Sequence, residues 1–147
     1  MNMFTNFFKK IATSEKTIFI VEDNDVYAKS LQGFLKTRFP HINNIKIFPF
    51  GEACLMELYQ NPTVIIMDHL LNSKNADAAT GLSITKKIKT VRSNTHIILL
   101  SSQTELEVAE KALEKYGCVY LKKDEQSFSK VETLIKNIFK RKKFFDF

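Results

Sequence analysis

The chain has 147 residues, a length that gives one domain with a sizeable core, and its 44% hydrophobic and 26% charged residues are those of an ordinary globular protein. The 22 Lys and Arg against 16 Asp and Glu leave a formal charge of +6, but the excess gathers in Lys9, Lys10 and the run KRKK at 140–143 without a recognition motif, so no nucleic-acid partner is expected. No apolar run reaches the ~18 residues of a membrane span, and the opening MNMFTNFFKKIATSEKT has no continuous apolar stretch or small-residue cleavage site, so a cytoplasmic location is expected.

Residues 1–15 form an N-terminal extension in which Phe4, Phe7, Phe8 and Ile11 fall at helical spacing. TIFIV (17–21) reads as a buried strand, and a helix follows over 25–39 with Val26, Tyr27, Leu31, Phe34 and Leu35 as its apolar positions, stopped by Pro40. IKIF (45–48) is a second strand, GEACLMELYQ (51–60) a helix, and Asn61 with Pro62 a break. VIIMD (64–68) is the third strand, and the polar NSKNADAAT (72–80) a long loop before a helix over 81–91 that carries Leu82, Ile84, Ile88 and Val91. HIILL (96–100), a helix over 104–116, CVYL (118–121) and a helix over 126–140 complete five strands and five helices in alternation. In that last helix Phe128, Val131, Leu134, Ile135 and Ile138 read as core, and residues 141–147 are a basic, aromatic tail. Cys54 and Cys118 have no partner at metal or redox spacing and read as packing residues.

Continuous apolar strands separated by amphipathic helices demand a parallel sheet covered on both faces, an α/β doubly wound fold. Ligands of such sheets sit outside the carboxyl ends of the strands, where the strand order reverses. The strand ends carry polar residues of a consistent kind: Glu22 and Asp23 after the first, Asp68 at the third, Ser101 and Ser102 after the fourth, Lys122 and Lys123 after the fifth. If the first and third strands are neighbours, three carboxylates converge and repel unless a cation neutralises them. A hard divalent ion with oxygen ligands is the natural occupant, and Mg²⁺ keeps waters and accepts phosphate oxygens. A carboxylate in that setting can also act as a nucleophile towards phosphorus.

VEDN (21–24), IIMD (65–68), ILLSS (98–102) and YLKKD (120–124) occur in the order and spacing of the response-regulator receiver domain, and residues 16–140 resemble stand-alone, chemotaxis-type regulators of two-component signalling. The resemblance implies a flavodoxin-like five-stranded sheet of order 2-1-3-4-5. It implies Asp68 as phosphoacceptor, and Glu22 and Asp23 as the acidic pair at Mg²⁺ with the Leu70 backbone carbonyl as a further ligand. Ser101 becomes the hydroxyl that bonds the phosphoryl group, Lys123 the lysine that pairs with it, and Tyr120 the switch aromatic. Its partners would be a histidine kinase or histidine phosphotransfer protein upstream and a target protein downstream, met by the face of the fourth helix, fifth strand and fifth helix.

Other readings of the same residues stand beside these. Asp23, Asn24 and Asp25 suit the N-cap of the first helix, Ser102 with Glu105 forms a capping-box pattern, and Lys122 and Lys123 suit a solvated edge strand. Lys122 is an alternative to Lys123, and His69 reads as a bystander. The 68–81 loop is longer than is usual in the family and lacks its proline, and Asp124 stands where many members have proline. The alternative function is therefore a degenerate receiver that binds partners without phosphorylation. The terminal phenylalanines are expected to pack on the domain or on each other, with little binding to membranes.

Overall fold

Each of the five apolar runs forms a strand, and all five pair in parallel in one sheet. They are β1 (Thr17–Val21), β2 (Asn44–Phe48), β3 (Val64–Asp68), β4 (His96–Ser101) and β5 (Val119–Lys122), hydrogen-bonded in the order β2-β1-β3-β4-β5. The helices between and after them are α1 (Asp25–Arg38), α2 (Gly51–Met56), α3 (Gly81–Val91), α4 (Leu106–Tyr116) and α5 (Ser127–Phe145). This computed structural model describes residues 16–71, 77–102 and 106–145. Expectations for residues 1–15, for most of the loop after β3 and for the first turn of the fourth helix, including the Ser102–Glu105 capping box, fall outside the described residues.

Successive strand residues point to opposite faces, which sorts the core into two layers. Ile18, Ile20, Val64, Ile66, Ile98 and Leu100 meet Leu31 and Leu35 of α1 and Val131 and Ile135 of α5. Phe19, Val21, Ile65, Met67, Ile97 and Leu99 meet Cys54 of α2, Ile84 and Ile88 of α3, and Ala112 of α4. All five residues of β1 and of β3 are buried. At about 1.5–3 kcal/mol for each large apolar side chain removed from water, these two central strands are the anchor of the sheet, and their ends are its best-fixed points.

The departures from the sequence reading have local causes. The helix expected over 51–60 breaks at Glu57 into α2 and a 3-10 turn, Leu58–Gln60, which ends on Asn61 at φ 54°, a left-handed conformation that asparagine tolerates. Val26 is 76% exposed, because Ala28 takes the inward position in the first turns of α1. Val91, the last residue of α3, is likewise exposed, beside Met56 and Tyr59. Strand β5 lies one residue later than expected and ends on Lys122. Before it, Gly117 adopts φ 62° after α4, and the Cys118 N–H donates to the Ala112 carbonyl at 2.9 Å. Helix α5 continues past Lys140 to Phe145, into the stretch read as a tail.

Candidate functional site

The chain leaves β1 towards β2 on one side and returns to β3 on the other, so a crevice opens at the carboxyl ends of β1 and β3. Glu22 follows Val21 directly and is held by its N–H, which donates to the Phe48 carbonyl at 2.9 Å. Asp68 is the last residue of β3. One carboxylate oxygen from each of Glu22, Asp23 and Asp68 lies within 4.8 Å of the others. Asn24 then caps α1 by accepting the Tyr27 N–H at 3.0 Å, and Asp25 pairs with Lys29 at 3.0 Å. The capping role therefore falls to Asn24, and Asp23 is left facing the crevice with the other two acids.

Lys123 reaches into this cluster from β5. Its Nζ lies 2.9 and 3.0 Å from the two Glu22 oxygens and 3.4 Å from Asp68 Oδ1, and 4.4 Å from the centre of the Tyr27 ring. Lys122 is paired across the sheet with Ser101 and is exposed. The turn that aims Lys123 is built from hydrogen bonds where the resemblance suggests proline. The Lys123 N–H donates to the Ser101 carbonyl at 2.8 Å, and the buried Ser127 Oγ accepts the Asp124 N–H at 2.7 Å. Asp124 Oδ1 accepts the Gln126 N–H at 2.8 Å, closing the start of α5.

Glu22 and Asp68 are only 4% and 5% exposed, so solvent does little to separate their charges. Burial, then the hydrogen bond and charge of Asp68, push the Glu22 carboxyl up to about 8, against a smaller opposing pull from Lys123. Burial pushes Lys123 down, but its hydrogen bond to Glu22 and the charges of Asp68 and Glu22 outweigh that and raise it. One buried ammonium does not balance three carboxylates gathered within 4.8 Å. A divalent cation would supply the missing positive charge, and three hard oxygen donors this close fit Mg²⁺.

The carboxylate of Asp68 is steadied from its own loop, where Oδ1 accepts the Leu70 N–H at 3.2 Å. His69 is buried, donates its N–H to the Leu100 carbonyl at 2.8 Å and accepts the Gly81 N–H at 2.8 Å. A Cβ on Gly81 would intrude on the Asp68 carbonyl oxygen and come within 2.8 Å of His69 Cα, so the first residue of α3 packs directly on the backbone that carries Asp68. Glu52 of α2 accepts the Ala79 N–H at 2.9 Å, and Thr80 caps α3 by accepting the Ser83 N–H at 3.3 Å. The long loop is therefore pinned at its far end by three contacts. None of these anchors was named from sequence, although a threonine ahead of the 81–91 helix is a legible N-cap signal.

Ser101 ends β4, one residue beyond Leu100, the cross-strand partner of Asp68, and is 1% exposed. Tyr120 is half-buried against the layer that holds α3 and α4, away from the carboxylates. The site opens on a cleft of about 390 Å³ lined by Glu22, Asp23, Asp25, Pro49, Phe50 and Leu71.

The sequence pattern of the response regulator receiver domain matches residues 18–137. Among solved structures the chain is similar to the signal receiver domain of a putative LuxO repressor protein from Vibrio parahaemolyticus, with a TM-score of 0.74 and 19% identity over 90% of this chain and 95% of that one. It is similar to a CheY-like receiver domain protein from Methanospirillum hungatei, with a TM-score of 0.72 and 18% identity over 88% and 98% of the two chains. The signal receiver domain of a DNA-binding response regulator from Colwellia psychrerythraea gives 0.70 and 22% over 86% and 99%. At such identities these structures speak for the shared fold. No curated protein matches the chain.

Proposed function

We propose that this chain, which belongs to the response regulator receiver domain family, is a phosphorylatable switch that takes a phosphoryl group onto Asp68 from a histidine kinase or phosphotransfer protein and signals by binding a target protein. The observation that carries the reading is the meeting of Glu22, Asp23 and Asp68 with the Lys123 ammonium at the reversal point of the sheet. In the transfer, an Asp68 carboxylate oxygen attacks phosphorus, the bond from phosphorus to the donor's imidazole nitrogen breaks, and the imidazole leaves with the electron pair and takes up a proton. Glu22 and Asp23, with the Leu70 carbonyl, would hold Mg²⁺, which when bound supplies charge neutralisation for the approaching phosphoryl oxygens. Lys123 exchanges part of its contact with Glu22 for one with the phosphoryl group, and Ser101 donates its hydroxyl to the same group.

Incubation with acetyl phosphate and Mg²⁺ tests this: intact mass should show a single added phosphoryl group, and omission of Mg²⁺ should suppress it. A chain that stays unmodified with Mg²⁺ present would be a degenerate receiver that binds partners without phosphorylation.

The switch gives a second test. A phosphoryl group adds charge and acceptor oxygens at Asp68, and a Ser101 hydroxyl drawn inward vacates room near Tyr120 on the neighbouring strand. Such a group biases two states only by the difference in its contacts with them, so Ser101→Ala, which removes one charge-assisted hydrogen bond, should cost about 1.5–3 kcal/mol of that bias. Asp68 should still be modified, while the amide NMR shifts that beryllofluoride induces around residues 106–125 should be blunted. Equal shift changes in wild type and variant would remove Ser101 from the switch.

A further inference from the structure

Tyr27 reads from sequence as one more apolar position of α1, yet its ring borders the carboxylate site. Lys123 Nζ sits over that ring, 4.4 Å from its centre, while the two Glu22 oxygens and Asp68 Oδ1 lie 2.9, 3.0 and 3.4 Å from the same nitrogen. The lysine side chain is only 17% exposed, so little water competes, and an ammonium over an aromatic face is attracted more strongly where it is desolvated. Burial raises the Tyr27 phenol above its ordinary value, against the pull of the Lys123 charge, so the ring meets the ammonium as a neutral face. Ring and lysine are also fixed by one junction. Asn24 accepts the Tyr27 N–H at 3.0 Å, and the Tyr27 ring meets that of Phe128, the second residue of α5, at 5.5 Å and 75°. One residue earlier, Ser127 Oγ accepts the Asp124 N–H at 2.7 Å and reaches the Lys122 carbonyl at 3.0 Å, which sets the backbone on both sides of Lys123.

We infer that Tyr27 is a positioning residue for phosphoryl transfer, its ring a face over which the Lys123 ammonium pivots from Glu22 to the phosphoryl group on Asp68. The inference rests on the reading of Asp68 as phosphoacceptor and adds to it a residue outside the acids, Ser101 and Lys123. A hydrogen bond to Glu22 or to a phosphoryl oxygen ties the ammonium to one place, and Lys123 has to loosen the first to make the second. An aromatic face attracts a cation through its quadrupole over a range of positions within about 6 Å of the ring centre. It therefore keeps the ammonium inside the site while the hydrogen-bond partners change. An aliphatic side chain would fill the same space between α1 and α5 without that attraction, and the flexible four-carbon stem of the lysine could then swing its head out to water.

The test compares Tyr27→Leu, which removes the ring face, with Tyr27→Phe, which keeps it, in the full chain. With acetyl phosphate and Mg²⁺, Tyr27→Leu should form the Asp68 adduct about tenfold more slowly, whereas Tyr27→Phe should keep most of the rate. In a Lys123→Gln background Tyr27→Leu should cost little more, because the ring acts through the ammonium; a purely structural role would give the same loss in both backgrounds. An independent readout needs no reaction: the Lys123 ε-methylene protons, lying over the ring, should resonate upfield of those of exposed lysines in wild type and in Tyr27→Phe, and return in Tyr27→Leu. If Tyr27→Leu does not fold, the wild-type resonances decide. A wild type that stays unmodified overturns the phosphoacceptor reading and the role drawn from it. A wild type that is modified, but with Lys123 protons at the exposed-lysine position, with Tyr27→Phe as slow as Tyr27→Leu, or with equal losses in the two backgrounds, overturns the role of Tyr27 alone.

Discussion

Asp68→Asn is expected to give no phosphorylated product at all with acetyl phosphate and Mg²⁺, and at the same time to make the cation-free protein more stable. The first outcome follows from the nucleophile: an amide oxygen at the end of β3 keeps the shape of the carboxylate but not its charge. The second follows from crowding. Asp68 sits with Glu22 and Asp23 inside 4.8 Å, and after burial its hydrogen bond and its charge are the causes that raise Glu22 from 4.5 to about 8. A carboxyl whose folded value lies above its unfolded one contributes stability that is fully present below about 4.5 and is lost as pH rises through about 8. Without Mg²⁺, wild-type stability should therefore decline across that window. In Asp68→Asn the burial contribution persists, the Asp68 contribution goes, and the Glu22–Lys123 pair at 2.9 Å remains. The decline should be shallower, and urea unfolding near pH 8 should show the variant ahead by on the order of 1 kcal/mol. Addition of Mg²⁺ should narrow the gap, because the cation stabilises the wild type more. A variant less stable than wild type at pH 8 without cation would mean that the carboxylates do not repel in the folded state.

The fold and the cluster of charged residues at the strand ends could be read from the sequence because both depend on regular patterns. Unbroken apolar runs such as VIIMD can be buried only in a parallel sheet covered on both faces, and the two core layers follow from strand alternation. Glu22, Asp23, Asp68 and Lys123 stand at strand ends, where a parallel sheet gathers functional groups, so their positions along the chain were enough to bring them together. Lys122 and Lys123 could not be separated in that way: which lysine turns inward depends on where β5 ends, and a shift of one residue reverses the side-chain direction. Val26 was misplaced because hydrophobicity alone does not tell an inward valine from an outward one when a small alanine two positions on fits against the sheet. The supports of the site were hidden for another reason. Glu52 meets Ala79 across 27 residues, Ser127 ties the end of β5 to the start of α5, and Gly81 matters through an atom it lacks. None of these leaves a periodic signal.

Gly81→Ala carries the other large expected effect, loss of phosphorylation rate without loss of any reacting group. The added Cβ would press on the Asp68 carbonyl oxygen and lie 2.8 Å from His69 Cα and 2.9 Å from the Asp68 carbonyl carbon. These are backbone atoms, and they cannot rotate aside. The Asp68 and His69 backbone is held from the other side by β4, through the His69 N–H to the Leu100 carbonyl at 2.8 Å, and α3 is held by the burial of Ile84 and Ile88. Relief must come from moving one of these two elements, which stretches the bond from the Gly81 N–H to the His69 carbonyl. Overpacking of this kind costs about 1–3 kcal/mol, and a reacting oxygen displaced by roughly 1 Å can lose on the order of a hundredfold in rate. The same substitution at Gly33, where a Cβ meets nothing within 4 Å, is the control and should leave phosphorylation unchanged. At Gly51 the Cβ would meet the side chain of Ile84, which can shift in part, so stability should fall while the rate at Asp68 is largely kept. Rates of adduct formation by intact mass, set beside urea unfolding for the three variants, separate the cases. If Gly81→Ala reacts at the wild-type rate, the carboxylate of Asp68 is positioned by β3 alone and the contact with α3 supports only the fold.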